Sequence, residues 1–271
     1  MDAVTLRAFY DRDLAEVILD FRFPDAHAAL LALLESGELR AASPDGEDGW
    51  TVNAWVKQAI LAGFRAFPLE AQPGPGWPFF DKGAYPPRHF SLSDGVRLVP
   101  GGSSVRRGAF VSKGAVIMPP AYINVGAFVD EGTMVDSHAL VGSCAQIGKR
   151  VHLSAAAQVG GVLEPAGARP VIVEDDAFVG GLVGLFEGIR VGRRAVLASG
   201  VVITGSTLIH DLVHGRTWQK EVPEGAVVVP GSRPASGDYA REHHLHLAAP
   251  IIVKYRDSRT DASTALEEAL R

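Results

Sequence analysis

One cysteine, Cys144, stands among 271 residues, so the chain cannot close a disulfide within itself and fits a reducing compartment. Charge of one sign does not dominate either. With 26 Lys and Arg against 31 Asp and Glu, the net charge of −5 leaves no broad surface for neutralising phosphates, which excludes nucleic acid as an expected partner. No stretch approaches the roughly 20 apolar residues of a membrane span, so a membrane is not an expected partner. The opening residues, MDAVTLRAFYDRDLAEV, put acids where a signal peptide needs an apolar core, and the expected location is cytoplasmic. His243, His244 and His246 have no neighbouring cysteine or carboxylate pair, so no metal site is expected. Aromatic residues are scarce as well, at 8%, against 30 glycines, a balance that suits tight turns around a narrow aliphatic core.

The glycines concentrate after residue 95. Before that point the chain reads as helical to about residue 70. Leu30, Leu33 and Leu34 share one helical face in the segment from Asp25 to a stop at Gly37, and Trp55, Ala59, Ile60 and Phe64 form a second stripe between Thr51 and Phe67. The Pro/Gly-rich segment from Gln72 to Pro78 reads as a linker.

From Val105 an aliphatic residue returns at every sixth position: Val111, Ile117, Ile123, Val129, Val135 and onward to Val159. Four residues after each comes a small or β-branched partner, such as Ala109, Ala115 or Thr133. The phase breaks across residues 160–172 and resumes from Val173 to Ile209. A period of six matches neither a helix nor a plain strand. It fits a solenoid of one short strand and one turn per repeat. Both ends of such a solenoid need covering; the helical segment is expected at one end and the chain after about residue 222 at the other. Residues 160–172 read as a loop expelled from the stack. The expected organisation is a helical segment and linker over 1–95, the solenoid over 96–229, and a capping segment over 230–271.

Particular words within the repeats narrow the choice. Gly126-Ala-Phe-Val-Asp-Glu-Gly-Thr-Met-Val-Asp136, Val141-Gly-Ser-Cys-Ala-Gln-Ile-Gly148, Val151-His-Leu-Ser154 and Gly160-Gly-Val-Leu-Glu-Pro165 resemble the tetrahydrodipicolinate N-succinyltransferase family. The likeness extends over roughly residues 50 to 255. It implies a left-handed parallel β-helix with three hexapeptides per coil, a homotrimer with active sites between adjacent subunits, and transfer of an acyl group from succinyl-CoA to the amine of an amino-acid substrate in diaminopimelate and lysine biosynthesis. No permanently bound cofactor is implied; succinyl-CoA or acetyl-CoA is the cosubstrate.

The resemblance carries two substrate-contacting residues onto Arg97 and Asp136. An arginine offers a planar donor fork to a carboxylate. A carboxylate can hold the substrate ammonium and orient the proton that must leave before nitrogen attacks. His138, two residues beyond Asp136, stands where the family has tryptophan and is the second catalytic candidate, because imidazole is suited to proton transfer near neutral pH. Gly200, Gly205 and Lys254 are the expected contacts of coenzyme A, with Arg256 and Arg259 as further basic residues near its phosphates. His152 and Cys144 read as structural. The chain departs from the family at two further places: Leu182 replaces an arginine and Gly184 a glutamate, in Phe178-Val-Gly-Gly-Leu-Val-Gly184. Three readings therefore stay open: the lysine-pathway enzyme, a relative acting on another amino acid as in tabtoxin biosynthesis, and a prism that has lost catalysis.

Overall fold

The computed structural model describes residues 1–46, 49–72 and 78–257. Most of the linker segment, 73–77, and Arg259 lie outside the described residues, as does the end of the capping segment beyond 257.

The six-residue period becomes a three-walled prism of parallel strands, each only two residues long. The first wall stacks Arg97–Leu98, Val116–Ile117, Met134–Val135, His152–Leu153, Phe178–Val179 and Val196–Leu197. The second stacks six strands from Ser104–Val105 to Val202–Ile203, and the third six from Phe110–Val111 to Glu221–Val222. In every pair but the terminal Arg97–Leu98, the second residue is buried inside the prism. Val105, Ile123, Val141, Val159, Leu185 and Ile203 are all buried in the core, and so are the small partners, from Ala109 to Ala195. Thr133 is the polar exception. Its hydroxyl donates to the Gly148 carbonyl at 2.7 Å and accepts from the Val151 N–H, so its burial leaves nothing unpaired.

Three edges join the walls. Most turns place the third residue after the inward aliphatic in the left-handed region, as at Gly126 (φ 74°), His138 (φ 62°), Ala156 (φ 58°), Leu182 (φ 60°) and Gly200 (φ 80°). The excursion 160–172 leaves from the second edge without shifting the stack. The strand at Gln158–Val159 sits in the second wall and the strand at Ile172–Val173 sits next in rotation, in the third.

The N-terminal segment forms helices α1 (Ala3–Tyr10), α2 (Leu14–Leu19), α3 (Phe23–Ser36) and α4 (Ala54–Ala66). Two short antiparallel strand pairs, Ala42–Asp45 with Gly49–Val52 and Leu69–Gln72 with Phe79–Lys82, accompany them, which hydrophobic periodicity had not indicated. These helices do not cover an end of the prism, as expected from the sequence; they lie against its side. Their core includes Val125 and Cys144 from the second edge. A side chain on Gly126 would meet the Ile60 side chain at 2.9 Å, and one on Gly108 would meet Leu31 at 2.7 Å, so glycine at these turns admits α4 and α3. Arg40 lies over the Phe128 ring, and the buried Lys57 ammonium donates to the Pro165 and Ala168 carbonyls of the excursion, tying it to α4. At the first end, Phe90 and Val96 pack on the core instead. At the far end, the strands Ala226–Pro234 and His246–Tyr255 form a long antiparallel pair that extends the first wall. There the buried Asp211 accepts from His214, Trp218 and Tyr255, pinning the closing strands together.

Candidate functional site

The first edge, between the first and second walls, carries the turns 118–120, 136–138, 154–156, 180–182 and 198–200. Asp136 and His138 are its only ionisable residues in these turns. The rest of the edge is small or apolar: Ser154-Ala-Ala156, Gly180-Gly-Leu182 and Ala198-Ser-Gly200. The outward residues of the second wall, Ser104, Tyr122, Leu140, Gln158, Gly184 and Val202, are also uncharged.

Asp136 follows the inward Val135. One oxygen of its carboxylate accepts the Ser137 N–H at 2.7 Å, and among the described residues it makes no ion pair. His138 is exposed at the turn apex. Its N–H donates to the Pro120 carbonyl at 2.6 Å, and its left-handed φ is one that histidine tolerates better than most residues. Arg97 stands on the outer face of the first wall, exposed, in register with Val116 and so with Met134. That puts it two strands, roughly 10 Å, from the level of Asp136. Its guanidinium has no partner among the described residues. Among the described residues the Arg97 and His138 side chains thus have no hydrogen-bond partner and Asp136 has no ion pair, whereas Arg190, Arg106 and Arg150 are all in ion pairs.

Gly200 falls on the same edge as Asp136. It occupies the same turn position as His138, three coils or roughly 14 Å further along. Lys254 lies beyond it on the extended first wall, paired with Val227. Gly205 is not with them. It sits on the second edge, buried, and its N–H already donates to the Glu187 carboxylate at 2.9 Å.

Backbone donors complete the edge. The N–H groups of Ala155, Gly181 and Ser199, the middle residues of three successive turns, have no acceptor within the described residues. On the third edge the corresponding N–H groups of Glu131, Lys149 and Arg193 donate to carboxylates, those of Asp130, Asp175 and Glu174, while those of Lys113 and Asp175 have no acceptor among the described residues. No signal in the sequence pattern other than the absence of an Asp or Asn beside these amides marks them out.

Two further residues take on meaning from the structure. A side chain on Gly184 would meet the Phe186 ring at 2.6 Å, and one on Gly160 would meet the same ring at 2.7 Å. The position where the family pattern has a glutamate is thus filled by an aromatic ring from the next turn. His152 stands half-buried on the first wall, stacked on Phe178 with ring centroids 5.0 Å apart. Burial lowers its pKa, while the charge of Asp136 acts in the opposite direction. Cys144 is buried, with its thiol pushed up to about 12 by that burial, which makes it unreactive. Among the described residues no cluster of three or more His, Cys, Asp or Glu is placed to hold a metal, and no helix is long and apolar enough to cross a membrane.

Comparison with known proteins adds the following. Residues 7–66 match a family model described as the N-terminal region of tetrahydrodipicolinate N-succinyltransferase, and residues 170–205 match the hexapeptide repeat of succinyl-transferase. A 2,3,4,5-tetrahydropyridine-2,6-dicarboxylate N-succinyltransferase of Azoarcus sp. is 47% identical over 254 residues, covering 91% of this chain and 89% of that protein. One of the same description from Rhodopseudomonas palustris is 43% identical over 276 residues, covering 98% and 97%. A solved structure of a putative enzyme of similar description from Campylobacter jejuni aligns with a TM-score of 0.49 at 15% identity, covering 91% of this chain and 64% of that one.

Proposed function

The chain belongs to the tetrahydrodipicolinate N-succinyltransferase family, and from that premise we propose that it transfers the succinyl group of succinyl-CoA to the amine of the open-chain form of tetrahydrodipicolinate. The observation that carries this reading is Asp136: it is the single carboxylate in the turns of its edge, and it has no ion-pair partner among the described residues. An alkyl amine is mostly protonated at neutral pH. Asp136 holds that ammonium, and Arg97 takes a substrate carboxylate in its fork. Nitrogen then attacks the thioester carbonyl, and negative charge builds on its oxygen. The unpaired turn N–H groups at Ala155 and Gly181 are the donors of the right kind, fixed before the reaction begins.

The same proposal includes a left-handed winding of the prism, assembly of three chains with sites between them, the three-part division of the chain at about 95 and 229, and a cytoplasmic setting. Coenzyme A runs along the small-residue edge past Gly200 towards Lys254. Gly205 serves as a point of close approach and not as a donor, since Glu187 holds its N–H.

A second reading, with the same chemistry on another amino-acid acceptor or with acetyl-CoA, is favoured by Phe186. Its ring occupies the space above Gly184, and Leu182 beside it is 69% exposed and apolar. The test is thiol release by the purified protein with succinyl-CoA or acetyl-CoA and a panel of amino acids. That panel includes 2-aminopimelate, a stable analogue of the open-chain substrate. Turnover with succinyl-CoA and 2-aminopimelate supports the first reading, turnover only with another pair supports the second, and silence throughout contradicts both.

A further inference from the structure

We infer that His152, a residue the sequence pattern presents as structural, is the imidazole that relays protons for the amine held at Asp136. The inference rests on the acyl-transfer reading above and adds a residue to it. Register brings the two together. Met134 pairs with His152, and the Asp136 N–H donates to the Leu153 carbonyl at 2.9 Å. The His152 side chain therefore leaves the outer face of the first wall one coil from the carboxylate and on the same flank.

Three features separate this ring from a merely packed one. Its flat stack on Phe178, with 15° between the planes, fixes its orientation. Neither ring nitrogen has a hydrogen-bond partner among the described residues, although the ring is only half-exposed. Packing alone would be served equally by an apolar ring. Asp136 is also the ionisable group whose charge acts on it; the neighbours Met134 and Phe178 above and below carry none. Burial favours the neutral ring, the state that accepts a proton, and the nearby carboxylate supports the imidazolium once it forms. His138, by contrast, projects from a turn apex into solvent.

The proton movements balance as follows. The ammonium at Asp136 gives one proton to the His152 ring, which sheds it to water. The freed nitrogen lone pair forms the C–N bond at the thioester carbon. A second N–H proton then passes to the ring as the C–S bond breaks, and from the ring to the departing thiolate. The products are the amide, the CoA thiol and one released proton.

His152→Phe keeps a ring on Phe178 and removes both nitrogens. Thiol release with the acceptor on which the unaltered protein turns over is expected to fall about 100-fold at unchanged melting temperature. The limb of the kcat profile below pH 7 should disappear with it. Full activity with that limb retained would overturn the inference. Independently of turnover, the His152 ring is followed by NMR through a pH titration of the intact protein. In Asp136→Asn its midpoint should move to lower pH, because the carboxylate that favours the charged ring is gone. An unchanged midpoint would show that the two side chains do not face each other, and would also overturn it. If the unaltered protein turns over no acceptor, the acyl-transfer reading fails, while the NMR titration still decides whether the pair exists.

Discussion

Two edges of one prism, built from the same six-residue rule, have opposite surfaces. On the third edge almost every turn is charged, and the charges serve the fold. Asp130, Asp175 and Glu174 cap the middle N–H of a turn, Arg150 pairs with Asp176, and Arg190 bridges Glu174 and Glu221. On the first edge the turns beyond Asp136-Ser-His138 are small or apolar, and among the described residues the middle amides of 155, 181 and 199 go uncapped and Asp136 and His138 have no ion-pair partner. The edges differ less in capping, since the Lys113 and Asp175 amides of the third edge also have no acceptor among the described residues and the Ser137 amide of the first is capped, than in charge. An edge left smooth, with its donors open, is one whose hydrogen bonds are completed by something other than its own chain.

The contrast predicts effects of very different size. The largest is expected at Asp136. Asp136→Asn removes the charge but keeps an acceptor for the Ser137 N–H, so kcat should drop by about 100-fold while the melting temperature holds. Unchanged turnover would take the carboxylate out of the mechanism and leave the uncapped edge unexplained.

An intermediate effect, on stability, is expected at Gly184. Gly184→Glu meets the Phe186 ring at its first carbon and should destabilise the protein by about 1–3 kcal/mol. In a domain of this size that lowers the melting temperature by about 2–4 °C per kcal/mol. Adding Phe186→Ala should recover most of the loss; a double variant no more stable than Gly184→Glu alone would mean that the ring is not the obstacle.

How much of this was legible in the sequence follows from what each feature depends on. The prism was legible because an inward aliphatic at every sixth position, such as Val135 or Leu153, leaves few alternatives. Asp136, Arg97 and His138 were singled out by the words around them, and the structure gathers Asp136, His138 and Gly200 on one edge. The seat of the helices was not, because their stripes at Leu30 and Ile60 say only that one face is buried, and not that Gly108 and Gly126 make room for them on a side wall. Nor was the wall to which the chain returns after 160–172, although the excursion itself was read as a loop expelled from the stack. Phe186 was missed for a similar reason: a glycine at 184 reads as a loss, and only the ring two residues on shows that the space is filled. Gly205 was expected beside Gly200 as a contact of coenzyme A, yet the turn of the prism sends it to a different edge.

The smallest effect is expected on the third edge. Asp176→Asn breaks an exposed pair with Arg150 at a left-handed turn position that asparagine tolerates, and should cost at most about 1 kcal/mol. The Arg150 hydrogen bond holds the Asp176 carboxyl below its ordinary value of 3.8, so that small stabilisation is present above this pH and fades as the pH falls below it. Chemical denaturation at pH 7 and pH 3 checks both parts. A loss of several kcal/mol at pH 7 would mean that the charged edge is far more than a solvated surface.

The most direct test places one side chain at the same turn position on the two edges. Ala155 and Glu131 are both exposed, and each is the second residue after an inward aliphatic. Ala155→Arg and Glu131→Arg are compared for kcat/KM in the thiol-release assay, with succinyl-CoA varied. Ala155→Arg should lower it at least tenfold by obstructing the first edge, while Glu131→Arg should stay within twofold of the unaltered protein. Equal values for the two variants, or the larger loss at residue 131, would contradict the assignment of the first edge as the site of acyl transfer.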